Sequence, residues 1–248
     1  MSDYSNEIEL FNDSVDEKAS LACITRDSDL QRHAIAELST LGLTVDDWKK
    51  RAIAEQDEHH ANLFLGCECI IDALSAELKM WLQLKEDNPD AAWNSLVSAQ
   101  MATRDAMRAH KGFSHLEHRA IRLVNIERVV FPKQVFLSAG LIVGRQQCSI
   151  CNLEYEDCSH LVGKPYMGEF CRCILLDVKA DHVAIVDEPA NKQCRIVSFN
   201  TEGGKRNRMT WRVEPNEVDD ATGSDRTGLI THGILLANSD MGGQRKRG

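Results

Sequence analysis

The sequence contains no Gly-x-x-x-x-Gly-Lys-Ser/Thr loop, no Gly-x-Gly-x-x-Gly and no His-Glu-x-x-His. The first two absences remove the common backbone cradles for nucleotide phosphates, and the third removes the commonest zinc-protease helix. An uninterrupted apolar run is also missing. The most apolar stretch, residues 62–84, is broken by Glu68, Asp72, Glu77 and Lys79, so no membrane span is expected. The first sixteen residues are acidic and carry no apolar segment of the secretory type, which points to a cytoplasmic chain. No basic face stands out: the formal charge is -9, and the first fifty residues hold eleven acids against five bases. A nucleic-acid partner is therefore not expected. Only Gln244 to Gly248 is locally basic, and it reads as a solvated end. There is no internal repeat and no low-complexity tract.

At 248 residues the chain is long enough to bury a core, in one large domain or two modest ones. Its most informative stretch is Cys148-Ser-Ile-Cys151, six residues, then Cys158-Ser-His160. Tetrahedral Zn²⁺ takes four nitrogen or sulfur donors. A Cys-x-x-Cys turn offers two thiolates from one tight bend, and a Cys-x-His pair can close the tetrahedron from a second. Cys148, Cys151, Cys158 and His160 are accordingly read as ligands of one structural zinc, since a catalytic ion usually keeps a position open for water. Of the nine cysteines, Cys67 and Cys69 lie two apart on a helical pattern and read as core residues. Cys171, Cys173 and Cys194 are potential replacements for His160, but as alternating strand residues they read more simply as buried thiols.

The apolar period changes near Phe131-Pro132. Upstream, residues 29–41 are apolar at Leu30, Ala34, Leu38 and Leu41 and stop at Gly42, after which Thr44-Val-Asp-Asp47 resembles a capping box. Leu63, Cys67, Ile70, Ile71, Leu74, Leu78 and Trp81 share one helical face. Asn88-Pro89 restarts the pattern, and Ser114-His-Leu-Glu117 is a second capping-box signal. Downstream, residues 135–143, 173–178, 182–186, 194–199 and 209–213 read as short strands. The expected class is α+β. The expected divisions are an acidic flexible segment 1–27, a helical bundle 28–131, a zinc-knuckle β module 132–214 and a flexible tail 215–248, with residues 229–236 offering one more strand.

Three segments of the second half carry a family resemblance: Phe136-Leu-Ser138-Ala-Gly140-Leu-Ile-Val143; the knuckle with Gly163 and Tyr166-Met-Gly168; and His182-Val-Ala184-Ile-Val186-Asp-Glu-Pro189-Ala190-Asn191. Together they resemble the final section of phage prohead maturation proteases, in a zinc-knuckle-bearing variant. The resemblance implies a nucleophile at Ser138. In the third segment, however, His182 stands where the family has an acid, and Ala184 where it has a serine. A serine needs a general base, and the upstream histidines His110, His115 and His118 fall on or beside expected helices, leaving His182 as the alternative base.

Arg104 and His110 resemble the Arg-x4-6-His pair of HEPN-type ribonucleases, although a basic residue and a histidine near a helix carboxy end also suit the helix dipole. Asp57-Glu-His59-His60 with His115-x-x-His118 lacks the paired Glu-x-x-His of a two-metal bundle. The reading is a zinc-stabilised interaction or adaptor protein, phage-related and non-catalytic, holding a protein partner. The alternatives are a Ser138/His182 hydrolase and an Arg104/His110 ribonuclease.

Overall fold

A computed structural model describes residues 3–215 and 229–232 and shows an α+β chain. Five helices come first: α1 (Ser5–Ala19), α2 (Ser28–Ala54), α3 (Glu58–Lys85), α4 (Pro89–Ala109) and α5 (Glu117–Val130), the last preceded by a 3-10 turn, Lys111–Leu116. Ten short strands follow: β1 (Phe136–Ile142), β2 (Arg145–Cys148), β3 (Pro165–Tyr166), β4 (Glu169–Phe170), β5 (Cys173–Leu176), β6 (Lys179–Val186), β7 (Arg195–Thr201), β8 (Gly204–Asn207), β9 (Val213–Glu214) and β10 (Leu229–His232). The chain forms two compact units. Among the described residues, one contains 3–133 and 146–174, the other 134–145, 175–215 and 229–232.

In the first unit, side-chain pairs show that successive helices from α2 to α5 run antiparallel. Arg32 and Lys85 join the start of α2 to the end of α3, Ser95 bonds Gln83 across the α3–α4 turn, and Trp93 meets Phe131 beyond the end of α5. Asp27 caps α2 by accepting from the Asp29 and Leu30 amides, while Asn88 caps α4 ahead of Pro89. The core is built on Leu38, Phe64, Ile71, Leu74 and Leu78, with Cys67 and Cys69 buried as expected. Burial pushes both of these thiols up, which suits inert packing residues.

Four expectations for this unit are corrected. Residues 3–27 are largely ordered: α1 places Tyr4 and Phe11 in the core, and Tyr4 stacks edge-on against Phe64. Helix α2 does not stop at Gly42 but runs on to Ala54, and the Thr44 hydroxyl, which caps no new helix, donates back to the Thr40 carbonyl. Ser114 is not a cap, since it lies inside the 3-10 turn and α5 starts three residues later without a side-chain cap. Finally, the knuckle segment belongs with the helices and not with the sheet, for reasons given below.

Gly66 shows how closely the helices are packed. A Cβ added there would fall 2.1 Å from the Phe113 ring, which is itself buried in the core. Alanine favours helices over glycine, yet here overpacking dominates. Gly66→Ala is expected to lower stability by about 1–3 kcal/mol in urea titration; an unchanged or raised midpoint would contradict the packing.

The second unit is a sheet in the order β6-β1-β7-β8-β9, with β10 paired to β7. Phe136, Ile196 and Val197 are buried there. Of the strand expected at 209–213, residues 209–212 are not extended, because the Asn207 side chain accepts from the Met209 and Thr210 amides and closes a turn, and only Val213 pairs, at the start of β9. The strand lies earlier, at β8, across the two-residue connection Glu202-Gly203 from β7. Within the expected tail, β10 occupies Leu229–His232; residues 216–228 and 233–248 of that tail lie outside the described residues.

Candidate metal centre

The first two donors come from one tight turn. The Cys148 amide donates to the Leu153 carbonyl, and the Asn152 amide returns to the Cys148 carbonyl at 2.9 Å each, with Asn152 in the left-handed region at φ 59°. This curls the backbone around the Cys148 sulfur, which accepts from the Ile150 amide at 3.4 Å. Cys158 and His160 approach from a second bend after the 3-10 turn Tyr155–Asp157. Two tyrosine hydroxyls hold that bend: Tyr155 accepts from the Val162 amide and Tyr166 from the Leu161 amide. The Tyr166 ring also stands edge-on to the His160 imidazole, 4.6 Å between centroids.

The result is one donor group. The ligand atoms of Cys148, Cys151, Cys158 and His160 all lie within 4.8 Å of one another. Edges of a zinc tetrahedron with sulfur and nitrogen ligands are about 3.6–3.8 Å, so closure needs inward movements of about 1 Å or less. The His160 Nδ1 atom is buried and has no hydrogen-bond partner. A buried polar atom without a partner is costly, and a metal ion would relieve it. Burial acts to raise the Cys148 thiol, but amide donors from Cys151 and Ile150, with the Cys151 and Cys158 side chains, outweigh it and bring the thiol down to about 6. A thiol that ionises readily is a ready ligand. The group could hold a metal ion on four protein donors.

The knuckle is seated on the helical bundle through the β3–β4 hairpin. Its turn residues Met167 and Gly168 both have positive φ, 45° and 81°, the geometry of a tight two-residue hairpin connection. A Cβ at 168 would itself press on the Lys49 side chain at 3.2 Å and meet the Ala61 carbonyl at 3.4 Å, and the Gly168 amide donates to Asn62 Oδ1 at 2.8 Å. Phe170 packs against the bundle core beneath the Arg108 guanidinium. These contacts explain why the segment sits with the helices.

The other candidate residues are arranged differently. Ser138 lies opposite Ala184 in the β1–β6 pair, and His182 lies opposite Gly140. The His182 ring covers the position a Gly140 Cβ would fill, its Nδ1 contacts Asp181 Oδ2 at 3.0 Å, and no hydrogen bond joins it to Ser138 among the described residues. Arg104 is exposed. His110 accepts from the Gly112 amide and meets His59 at 3.3 Å, so its partner is a histidine of α3 and not Arg104. Asp57 caps α3 and holds His60 at 2.8 Å. The His59–His110 contact had no sequence signal, because it depends on helix register across 51 residues.

No helix of the described residues is long and apolar enough to cross a membrane. No protein-family model matches the chain, and no curated protein or solved structure is significantly similar to it.

Proposed function

We propose that the chain is a zinc-stapled interaction protein whose β6 edge receives an extended segment of a protein partner. The zinc part rests on the Cys148, Cys151, Cys158 and His160 group, which has four protein donors and so needs no open position for substrate. The interaction part is carried by one observation: β6 ends the sheet among the described residues and exposes Val183 and Ile185, each 66% accessible. These two side chains lie opposite Ala139 and Leu137, which makes one apolar face beside a row of backbone donors and acceptors. An added strand would pair with that edge through its main chain and seat alternate apolar side chains on that face. A phage-related role follows only from the resemblance of the second half to prohead maturation proteases, and it belongs to the same proposal.

The test is a Val183→Glu/Ile185→Glu double substitution in the full chain. A partner recovered with the wild type, then purified and remixed, should bind the variant at least about tenfold more weakly, because two carboxylates would be buried without partners. Circular dichroism should be unchanged. Equal binding by the correctly folded variant would remove β6 as the docking edge.

A further inference from the structure

A tetrahedral ion takes four donors, and a fifth thiol stands against one of the four. Cys171 lies outside the knuckle, just after β4, yet its sulfur is 3.7 Å from Cys148 Sγ. Metal–sulfur bonds of about 2.3 Å in a tetrahedron place two ligand sulfurs about 3.8 Å apart, so the observed spacing matches a tetrahedral edge. The position is built and not incidental. The Cys171 amide donates to the Lys164 carbonyl, and the Cys171 carbonyl accepts from the Gly163 amide, both at 2.9 Å. The next residue is strapped to the first metal turn by two bonds, Ser149 amide to Arg172 carbonyl and Arg172 amide to Ser149 hydroxyl. The Cys171 side chain is 1% exposed, so it faces Cys148 and not solvent.

We propose that Cys171 is a metal ligand of this site and shares the fourth coordination position with His160, so that either residue closes the tetrahedron begun by Cys148, Cys151 and Cys158. The proposal rests on reading the group as a metal site. Exchange of His160 for Cys171 breaks one metal–nitrogen bond and forms one metal–sulfur bond, and the thiol proton passes to the released imidazole. The ligand sets are then three thiolates with one imidazole, or four thiolates. Both suit a thiophilic ion such as zinc. The exchange frees His160 and the bend that carries it without loss of the ion, and it ties the hairpin that seats the knuckle directly to the metal.

The experiment uses the full chain with cobalt(II) as a spectroscopic substitute for zinc. Wild type, His160→Ala, Cys171→Ser and the double variant are titrated, with Cys171→Val as a second, apolar replacement to separate ligand loss from misfolding. His160→Ala should keep a tetrahedral spectrum, its thiolate charge-transfer intensity at the four-thiolate level, while Cys171→Ser should give the three-thiolate level. Relative to His160→Ala, the double variant should bind at least about tenfold more weakly, since it retains only three donors. A smaller loss would overturn the role of Cys171 and leave the Cys148, Cys151, Cys158 and His160 site standing. A wild type with no tetrahedral cobalt spectrum would overturn the metal reading itself.

Discussion

Cys151→Ser is expected to abolish stoichiometric zinc binding and to release the knuckle from the helical bundle. Its sulfur is one of four ligand atoms within 4.8 Å of one another, and the segment around it contains few other sources of order. Between Cys148 and His160 the only regular elements are a tight turn and a three-residue 3-10 turn. Such a segment cannot bury enough apolar area to fix its own backbone, so metal binding energy becomes folding energy there. In zinc-finger peptides that energy is about 10–16 kcal/mol. Here part of it is supplied by Phe170 and the Gly168–Asn62 contact, which keep the β3–β4 hairpin near α3. The variant should therefore retain most of its helical circular dichroism and lose protection from proteolysis between Cys148 and Lys164. Wild-type resistance over that segment in a metal-free variant would contradict the staple.

Glu77→Leu should produce the largest loss in the helical bundle. Glu77 is fully buried on α3, and its two carboxylate oxygens receive Arg119 at 2.5 Å and Arg122 at 2.6 Å from α5. Arg119 is itself largely buried, and burial pulls its guanidinium below the ordinary arginine range while Glu77 acts against that shift. Removing the carboxylate leaves a buried cation beside a second one. Breaking such a pair from one side costs about 3–5 kcal/mol. Glu77 is the principal polar tie between α3 and α5, so the loss should appear as a lower urea midpoint and as faster amide exchange in α5. Replacing Glu77, Arg119 and Arg122 together by apolar residues should recover much of the stability, because no charge is then stranded. A single Glu77→Leu variant as stable as wild type would show that the ion triad contributes nothing.

The chemistry of the metal donors was legible because it depends on spacing over thirteen residues: a Cys-x-x-Cys turn and a Cys-x-His bend fold locally and need no tertiary information. Where the knuckle sits was not legible. Its seating depends on Gly168 and Asn62, 106 residues apart, and neither residue type announces a contact. Helix α1 had a readable signal, since Tyr4, Ile8, Phe11 and Val15 recur at helical spacing, but the surrounding acids masked it. Gly42 and Ser114 misled in opposite ways. A glycine inside a long amphipathic helix is tolerated when its neighbours carry the packing, and a serine three residues before a glutamate caps a helix only if the backbone begins there. Strand β8 was missed because Lys205, Arg206 and Asn207 are polar, although Gly203-Gly204 marked the turn that introduces it.

Metal binding by Cys148, Cys151, Cys158 and His160, with Cys171 beside them, is proposed to order the knuckle and seat it on the helices. Native mass spectrometry of the full-length protein, before and after exhaustive chelation, tests it most directly. One zinc per chain is expected before chelation, and a shift to the more highly charged, expanded ions of a partly unfolded chain once the metal is removed. A chain that carries no metal as purified, with a compact charge distribution that chelation leaves unchanged, would contradict it.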